Sequence, residues 1–405
     1  AGLLYSSNML VLLTSFVTAL IVPRQLGAEL YGDLTFITSF LLASQALFDF
    51  GVYDTGAKLL ASVSDRQHQS RLSGVFVFLF AIIALAFSLF IYSAGSWVDG
   101  VFDSNVGVTF KIIAVFSSAY LIRDLASQVS KGLNRVVEIF SMSVYPALGY
   151  VTLVVVLSKV SKLTVPNLLL GKMILVWLAV LVCLFRLKPV FSGLGSGLKE
   201  VFADLRSFGF KVYTGRALNT AARLSDKMFI ALLGTNTSVG FYSLARILVQ
   251  PIEFFPYALS TSLFRRFGSR DRIPARILLV TILWLLFSSA GLLVLAKPAV
   301  QFIFTSEYME VLPMTWTAVI GAVFGGMSQP FNAFLSVKGY GRELRRVSLV
   351  LAVYDVIANL ILISFFGAMG AVFSYIGEQA LSLCFLGWYY QKAAAELQSE
   401  NARGL

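Results

Sequence analysis

Charge is what this sequence has least of. Only 13% of its 405 residues are Asp, Glu, Lys or Arg, about half the share of an ordinary soluble domain. That scarcity excludes a water-soluble globule of this length. The two cysteines, Cys183 and Cys384, lie in apolar runs, so no disulfide framework is expected. The one histidine, His68, stands in a short polar stretch and reads as solvated. No His/Cys/carboxylate group has metal-site spacing, and no metal or other cofactor is expected. A Gly-rich loop closing on Lys-Ser or Lys-Thr is missing, which excludes an ATP-driven pump of the P-loop type.

What is abundant is apolar length. Hydrophobic residues make up 58% of the chain, and the mean hydropathy is +0.81. Runs of about 20 residues, enough to cross a bilayer, recur from end to end. The reading is an all-α polytopic membrane protein with twelve transmembrane helices, over 3–22, 34–58, 72–93, 107–130, 136–158, 167–187, 208–233, 239–264, 277–297, 312–336, 347–366 and 368–390. The first run, Leu3 to Val22, is too long for a signal-peptide core and reads as a retained span. Lys and Arg orient the set. Even-numbered loops and the C-terminus, with Arg186 at the inner end of span six, carry nineteen of them; odd-numbered loops carry four, Arg24, Lys159, Lys162 and Lys297. Positive charge marks the cytoplasmic side, so both termini are expected there. Most of the net charge of +11 is this topological excess, and nucleic acid is not an expected partner. On this topology the longest outer loops lie near 94–106 and 298–311. They are too short to house catalytic groups, and an enzyme is not expected.

The halves echo each other. "KGLNR" (Lys131, Gly132, Arg135) recurs as "KGYGR" (Lys338, Gly339, Arg342), and Leu26-Gly27 as Leu233-Gly234, all at an offset of 207. Six spans per repeat is an even number, so both halves share one orientation. That predicts two six-helix bundles related by a pseudo-twofold axis along the membrane normal, with a cavity between them. The domains follow as a bundle over 1–187, a cytoplasmic linker over 188–206, a second bundle over 207–392 and a cytoplasmic tail over 393–405. Within the linker, Leu198, Val201, Phe202 and Leu205 recur at helical spacing, with Lys199, Asp204 and Arg206 elsewhere on the wheel. The stretch fits either a short interfacial helix or an early start to span seven. "GAVFGGMSQP" is expected to loosen span ten, and Pro146, Pro251, Pro256 and Pro330 to supply kinks.

Nine further Lys/Arg fall inside the spans. A charge at mid-depth costs roughly 2.5–3.5 kcal/mol on insertion scales. "YTGRALNTAARLSDKMFIALLG", residues 213–234, concentrates them. Arg216, Arg223 and Lys227 sit at i, i+7 and i+11, one stripe of a helix that can line a hydrated cavity. Span eight adds Arg246 and Glu253, again seven apart. Salt bridges between spans seven and eight are the alternative reading. Arg123 beside Asp124 and Lys172 in span six are further candidates. Asp54 and Lys58, four apart, read as a local ion pair, and Lys111 and Lys211 as snorkelling span ends. Asp49, Asp355 and Glu378 are isolated intramembrane acids. Deep cations outnumber deep acids on spans seven and eight, which suits an anion, and arginine forks bind phosphate oxygens. The substrate-binding candidates are therefore Arg216, Arg223, Lys227, Arg246, Arg123 and Lys172. The candidates for coupling to an ion are Asp226, Glu253, Asp355 and Glu378.

"LIVPRQLGAELYGDLTFITSFLLASQALFDFGVYDTGAK", with Leu26-Gly27, Tyr31-Gly32 and Asp49-Phe50-Gly51, resembles the start of the bacterial polysaccharide flippases of the Wzx type. These belong to the multidrug/oligosaccharidyl-lipid/polysaccharide transporter superfamily. "LSDKMFIALLGTNTSVGFYSLARIL", with Asp226-Lys227, Gly234, Gly240, Tyr242 and Ala245, is similar in the same way. The resemblance covers essentially the whole chain. It implies translocation of an undecaprenyl-pyrophosphate-linked oligosaccharide, of the O-antigen repeat-unit kind, between leaflets of a bacterial inner membrane. The direction is cytoplasmic to periplasmic, by alternating access through a cationic cavity, with the polyprenyl tail left in lipid. Implied partners are that lipid-linked sugar, the membrane lipids, a proton or sodium ion and a polysaccharide polymerase. Charge positions vary within the family, so no fixed residue set carries over. Three other groups share parts of the pattern. A multidrug and toxic-compound extrusion exporter should favour cavity acids over bases. Lipid II flippases carry two further spans. A major-facilitator transporter carries glycines in the loop after span two, which here reads "ASVSDRQHQSR".

Overall fold

The structure, a computed structural model, describes residues 2–160 and 162–402. Residues 403–405 of the expected tail and the side chain of Lys211 lie outside the described part. The chain is helical almost throughout, and no strand occurs among the described residues. It divides into two compact units, Ala1–Leu224 and Ser225–Leu405, with the division inside a single helix.

The first unit runs α1 (Gly2–Leu26), α2 (Ala28–Phe48), α3 (Val52–Ser62), α4 (Arg66–Phe102), α5 (Gly107–Ile113), α6 (Ala119–Gly132), α7 (Val136–Val160), α8 (Val165–Leu187), α9 (Leu194–Asp204) and the first half of α10 (Phe210–Leu233). Within it α1 packs on α7, α7 on α8, α3 on α6, α4 on α5 and α6 on α8. The expected second span is not straight: α2 and α3 meet at 55°. Asp49-Phe50-Gly51 makes the break. Phe50 (φ 49°) and Gly51 (φ 81°) both take left-handed backbone, which an α-helix cannot pass through. At Gly51 a Cβ would also lie 2.5 Å from the backbone of Gly209. Asp49 caps the restart, its Oδ1 accepting from the Tyr53 amide at 3.2 Å. The fourth expected span is interrupted too, by a 3₁₀ turn over Ala114–Phe116.

The third expected span, 72–93, is longer than its apolar run. Asp65 caps it at Arg66 by accepting from the Gln67 and His68 amides, and the helix continues until Asp103 turns left-handed at φ 45°. Most of the outer loop expected at 94–106 is therefore helix. The linker is helical from Leu194 and runs on into span seven. α9 forms, and a π turn over Leu205–Gly209 carries it into α10 without a break.

The second unit holds the rest of α10, then α11 (Asn236–Ser262), α12 (Phe264–Gly268), α13 (Ala275–Ile303), α14 (Val311–Val337), α15 (Gly341–Phe366) and α16 (Ala368–Ala402). The loop expected at 298–311 is largely the end of α13 and a 3₁₀ turn over Ser306–Glu310. α14 packs on α11, α13 and α16. Its glycines tighten the packing where loosening was expected. α14 is one helix, and Gly321 and Gly325, one turn apart, admit α16. A Cβ on Gly321 would lie 2.5 Å from the Tyr375 ring, and one on Gly325 2.6 Å from Gln379 Oε1. Small residues serve helix interfaces this way in lipid, where no hydrophobic force draws helices together. α11 likewise runs as one helix through Pro251 and Pro256.

The two repeated loops after α6 and α14 close alike. Arg135 donates to the Ser130 carbonyl at 2.7 Å and Asn134 to Lys131 at 3.1 Å; Tyr340 donates to Leu335 at 3.0 Å and Gly339 to Ser336 at 3.3 Å. The left-handed residue is Asn134 (φ 56°) in one and Gly339 (φ 83°) in the other. Here the two halves correspond 205 residues apart, and not at the 207 of the letter match, because Gly132 is still helical and packs against Ala57.

Among the described residues, eight helices are long and apolar enough to cross a membrane, and the bent α2–α3 pair makes a ninth if it is one span. The other three expected spans are also helical: the interrupted α5–α6 and the more polar α10 and α11. The chain is a multi-pass helical membrane protein.

Candidate functional site

The expected site residues sort by unit. The first holds Arg216, Arg223, Arg123 and Lys172; the second holds Lys227, Arg246, Asp226, Glu253, Asp355 and Glu378.

A cavity of 520 Å³ opens in the first unit, with Gln45, Asp49, Tyr53, Asp124, Arg216 and Arg223 in its wall. That volume is in the range of ligand pockets. Arg216 is already engaged. It pairs with Asp49 and, at 2.9 Å, with Asp54, and its guanidinium lies 5.6 Å from the centroid of the Tyr53 ring. The bend at Asp49-Phe50-Gly51 explains the arrangement. It sets the end of α2 and the first turn of α3 around one guanidinium. The expected Asp54–Lys58 pair therefore does not form, because Asp54 faces Arg216. Lys58 pairs instead with Asp204 at the end of α9. His68, expected to be solvated, contacts Glu200 of α9 at 3.2 Å.

Asp124 is engaged as well. It accepts from Gln45 Nε2 at 2.6 Å and from its neighbour Arg123 at 3.1 Å. Arg223 differs from both. It is exposed, it lines the cavity, and among the described residues it has no ion-pair partner. Lys172 is held by aromatic faces, 5.4 Å from the Tyr150 centroid and 5.9 Å from that of Tyr120.

In the second unit, hydroxyls do much of the work. Arg246 Cζ lies 3.3 Å from the Tyr375 ring centroid, and the Tyr375 hydroxyl donates to Glu253. Arg246 and Glu253 thus meet through α16. The Tyr242 hydroxyl donates to Asp226 at 2.6 Å, the link between spans seven and eight. Gln379 Nε2 donates to Glu378 at 3.1 Å. Asp355 is buried on α15, one turn before Asn359, whose amide donates to the Ser225 hydroxyl at 3.4 Å. Lys227 is half-buried on α10. Neither Lys227 nor Arg246 lines the cavity that holds Arg223.

Sequence reasoning missed Gln45 and Tyr53 in the cavity wall and Tyr375 beside Arg246. Asp49 carried a signal, an acid directly ahead of Phe-Gly in an apolar run. Tyr375 carried none, being one of 16 tyrosines with nothing to set it apart.

A family model described as polysaccharide biosynthesis protein matches residues 1–268. No curated protein sequence matches the chain. Among solved structures, the fold is similar to the lipid II flippase MurJ in its inward closed conformation, at 14% identity over 97% of this chain and 88% of that one, with a TM-score of 0.74. It is similar to a multidrug resistance MATE family transporter of the MOP superfamily in the inward-facing conformation, at 11% identity over 96% and 95%, with a TM-score of 0.74. A MOP superfamily transporter from Pyrococcus furiosus, described by the reverse polarity of its binding pocket, follows at 10% identity over 98% and 93%, with a TM-score of 0.54. At these identities the likeness is one of fold.

Proposed function

Because the chain belongs to the polysaccharide biosynthesis protein family, we propose that it flips a polyprenyl-diphosphate-linked oligosaccharide across the membrane. The carrier in this reading is undecaprenyl diphosphate. The direction is from the cytoplasmic to the periplasmic leaflet of a bacterial inner membrane, with both chain termini cytoplasmic, as the Lys/Arg distribution supports. Arg223 carries the reading. Within the 520 Å³ cavity, Arg216 stands between two carboxylates and Asp124 is met by Arg123 and Gln45. The charge left uncommitted in that wall is the Arg223 guanidinium. A charge-assisted hydrogen bond to a phosphate oxygen contributes about 1.5–3 kcal/mol, roughly tenfold to a hundredfold in binding.

The diphosphate meets Arg223, the sugars fill the cavity and the tail stays in lipid. Alternating access then exposes the head group on the other side. Asp226, Glu253, Asp355 and Glu378 are the candidate groups for coupling to a proton or sodium gradient. One observation favours a second reading, an exporter of organic cations: Asp49 and Asp124 also line the cavity.

The test replaces Arg223 with Ala and with Lys and measures surface polysaccharide against the amount of protein in the membrane. Arg223→Ala should cut export about tenfold to a hundredfold, and Arg223→Lys should keep part of it. Full export by a well-expressed Arg223→Ala removes the main support. Loss of cation efflux in Asp124→Asn with export intact selects the second reading.

A further inference from the structure

α9 sorts its charges by sign. Its acids are paired: Glu200 contacts His68 at 3.2 Å, and Asp204 pairs with Lys58, whose ammonium also lies 4.6 Å from the Phe208 centroid. α9 sits on α3 and α4, so closely that a Cβ on Gly197 would lie 2.6 Å from the Val75 side chain. Lys199, and Arg206 in the π turn that follows α9, go elsewhere. Lys199 and Arg206 line an open groove of 780 Å³ with Leu198, Phe202, Leu205 and Phe210. Both cations are exposed, and among the described residues neither has an ion-pair partner. Phe202 and Phe210 are 54% and 55% exposed. Two helical turns separate Lys199 from Arg206, which puts both on one face, roughly 10 Å apart along the axis.

We propose that this groove binds an anionic glycerophospholipid, its phosphate between Lys199 and Arg206 and an acyl chain along Phe202 and Phe210. Two unpaired cations beside an exposed aromatic strip match a ligand charged at one end and apolar over the rest. Position supports the same ligand. α9 lies between the end of α8 and the start of α10, which on the topology read from the Lys/Arg distribution is head-group level, where Lys and Arg meet lipid phosphates. The groove shares no wall residue with the Arg223 cavity. This separates it from the polyprenyl diphosphate of the proposed cargo and assigns it to bulk lipid. Because α9 joins α8 to α10, the site ties the linker to the composition of its leaflet. The inference stands whether or not the proposed cargo is right.

A photo-crosslinkable phosphatidylglycerol, used on the full chain in nanodiscs with labelled peptides mapped by mass spectrometry, tests it. Label should concentrate in 194–210. A basic residue near an anionic lipid surface is worth about fivefold in affinity. K199Q/R206Q should therefore lower the label by about thirtyfold at limiting probe. K199R/R206K should keep it, and R270Q/R345Q, outside the groove, should leave it unchanged. A phosphatidylcholine probe should label at least about tenfold less. Equal labelling by phosphatidylcholine overturns the proposal, as does full labelling of K199Q/R206Q. Displacement of the label by polyprenyl diphosphate at lower concentration than by phosphatidylglycerol also overturns it.

Discussion

Removing Arg216 should weaken the fold, and neutralising Asp49 with it should restore most of the loss. The Asp49 side chain is 2% exposed, and besides pairing with Arg216 it accepts from the Tyr53 amide at 3.2 Å. Deleting one member of a buried ion pair costs about 3–5 kcal/mol, because the remaining charge stays buried without a partner. The Arg216 side chain is 35% exposed, so water reaches the gap and relieves part of the cost. About 2–3 kcal/mol is the working figure for Arg216→Gln. D49N/R216Q removes the buried carboxylate and leaves only Asp54, whose side chain is 22% exposed and reached by water, without its cation, so it should lie within about 1 kcal/mol of the parent. For a chain of this size each kcal/mol moves the thermal midpoint by about 2 °C. Unfolding of the purified protein in detergent, followed by tryptophan fluorescence, should thus show R216Q lower by about 4–6 °C and D49N/R216Q by about 2 °C. R223Q, which breaks no ion pair, should stay within about 1 °C. The reasoning fails if R216Q matches R223Q, or if adding D49N rescues nothing.

Gly51→Ala combines left-handed backbone at φ 81° with a Cβ 2.5 Å from the Gly209 backbone. Neither backbone can yield, so size-exclusion profiles should show little monodisperse protein. Gly325→Ala forces a Cβ to 2.6 Å from Gln379 Oε1 and 3.0 Å from Glu253 Oε1. It should cost about 1–3 kcal/mol in thermal unfolding, while Gly100→Ala, with nothing within 4 Å, should be neutral. Asp65, outside the spans, has its carboxyl pulled below the usual range by the His68 and Gln67 amides it caps. A depressed folded-state value gives stability that is complete above the unfolded carboxylate range, near pH 4, and fades as pH falls through the folded one. The midpoint difference between parent and Asp65→Asn should therefore shrink from pH 5 to pH 3; a constant difference counts against the cap.

The spans were legible because apolar length is a one-dimensional signal. Their breaks were less so. Asp49-Phe50-Gly51 stood out as a motif, yet nothing in its letters says that Phe50 as well as Gly51 turns left-handed. The extension of α4 past its apolar run depends on the Asp65 cap and on late termination at Asp103, neither of which hydropathy registers. Charge partners were the hardest part. Lys58 has Asp54 one turn away, but its partner Asp204 lies 146 positions along. Spacing finds neighbours on one helix, and these pairs join different helices. The offset of the repeat suffers similarly: letters match at Gly132 and Gly339, whereas the capping role passes to Asn134.

The contrast between Arg216 and Arg223 follows from where α10 lies. The two are seven residues apart on one helical face, and hydropathy treats them alike. Below the division at Leu224 the helix belongs to the first unit, and there it meets the bend of α2–α3. The bend itself creates the demand: breaking a helix at Asp49 leaves a carboxylate in an apolar setting, and the nearest remedy is a cation from α10. Arg216 meets that demand and Asp54 shares it. Two turns further along α10 no broken helix presents an acid, and Gln45 with Arg123 has already satisfied Asp124. Arg223 is therefore left facing open volume. A cation retained there without a structural partner has an insertion cost and no compensating contact in the fold. That imbalance is what a bound anion would correct, and under the proposed function the diphosphate is expected at Arg223 and not at Arg216.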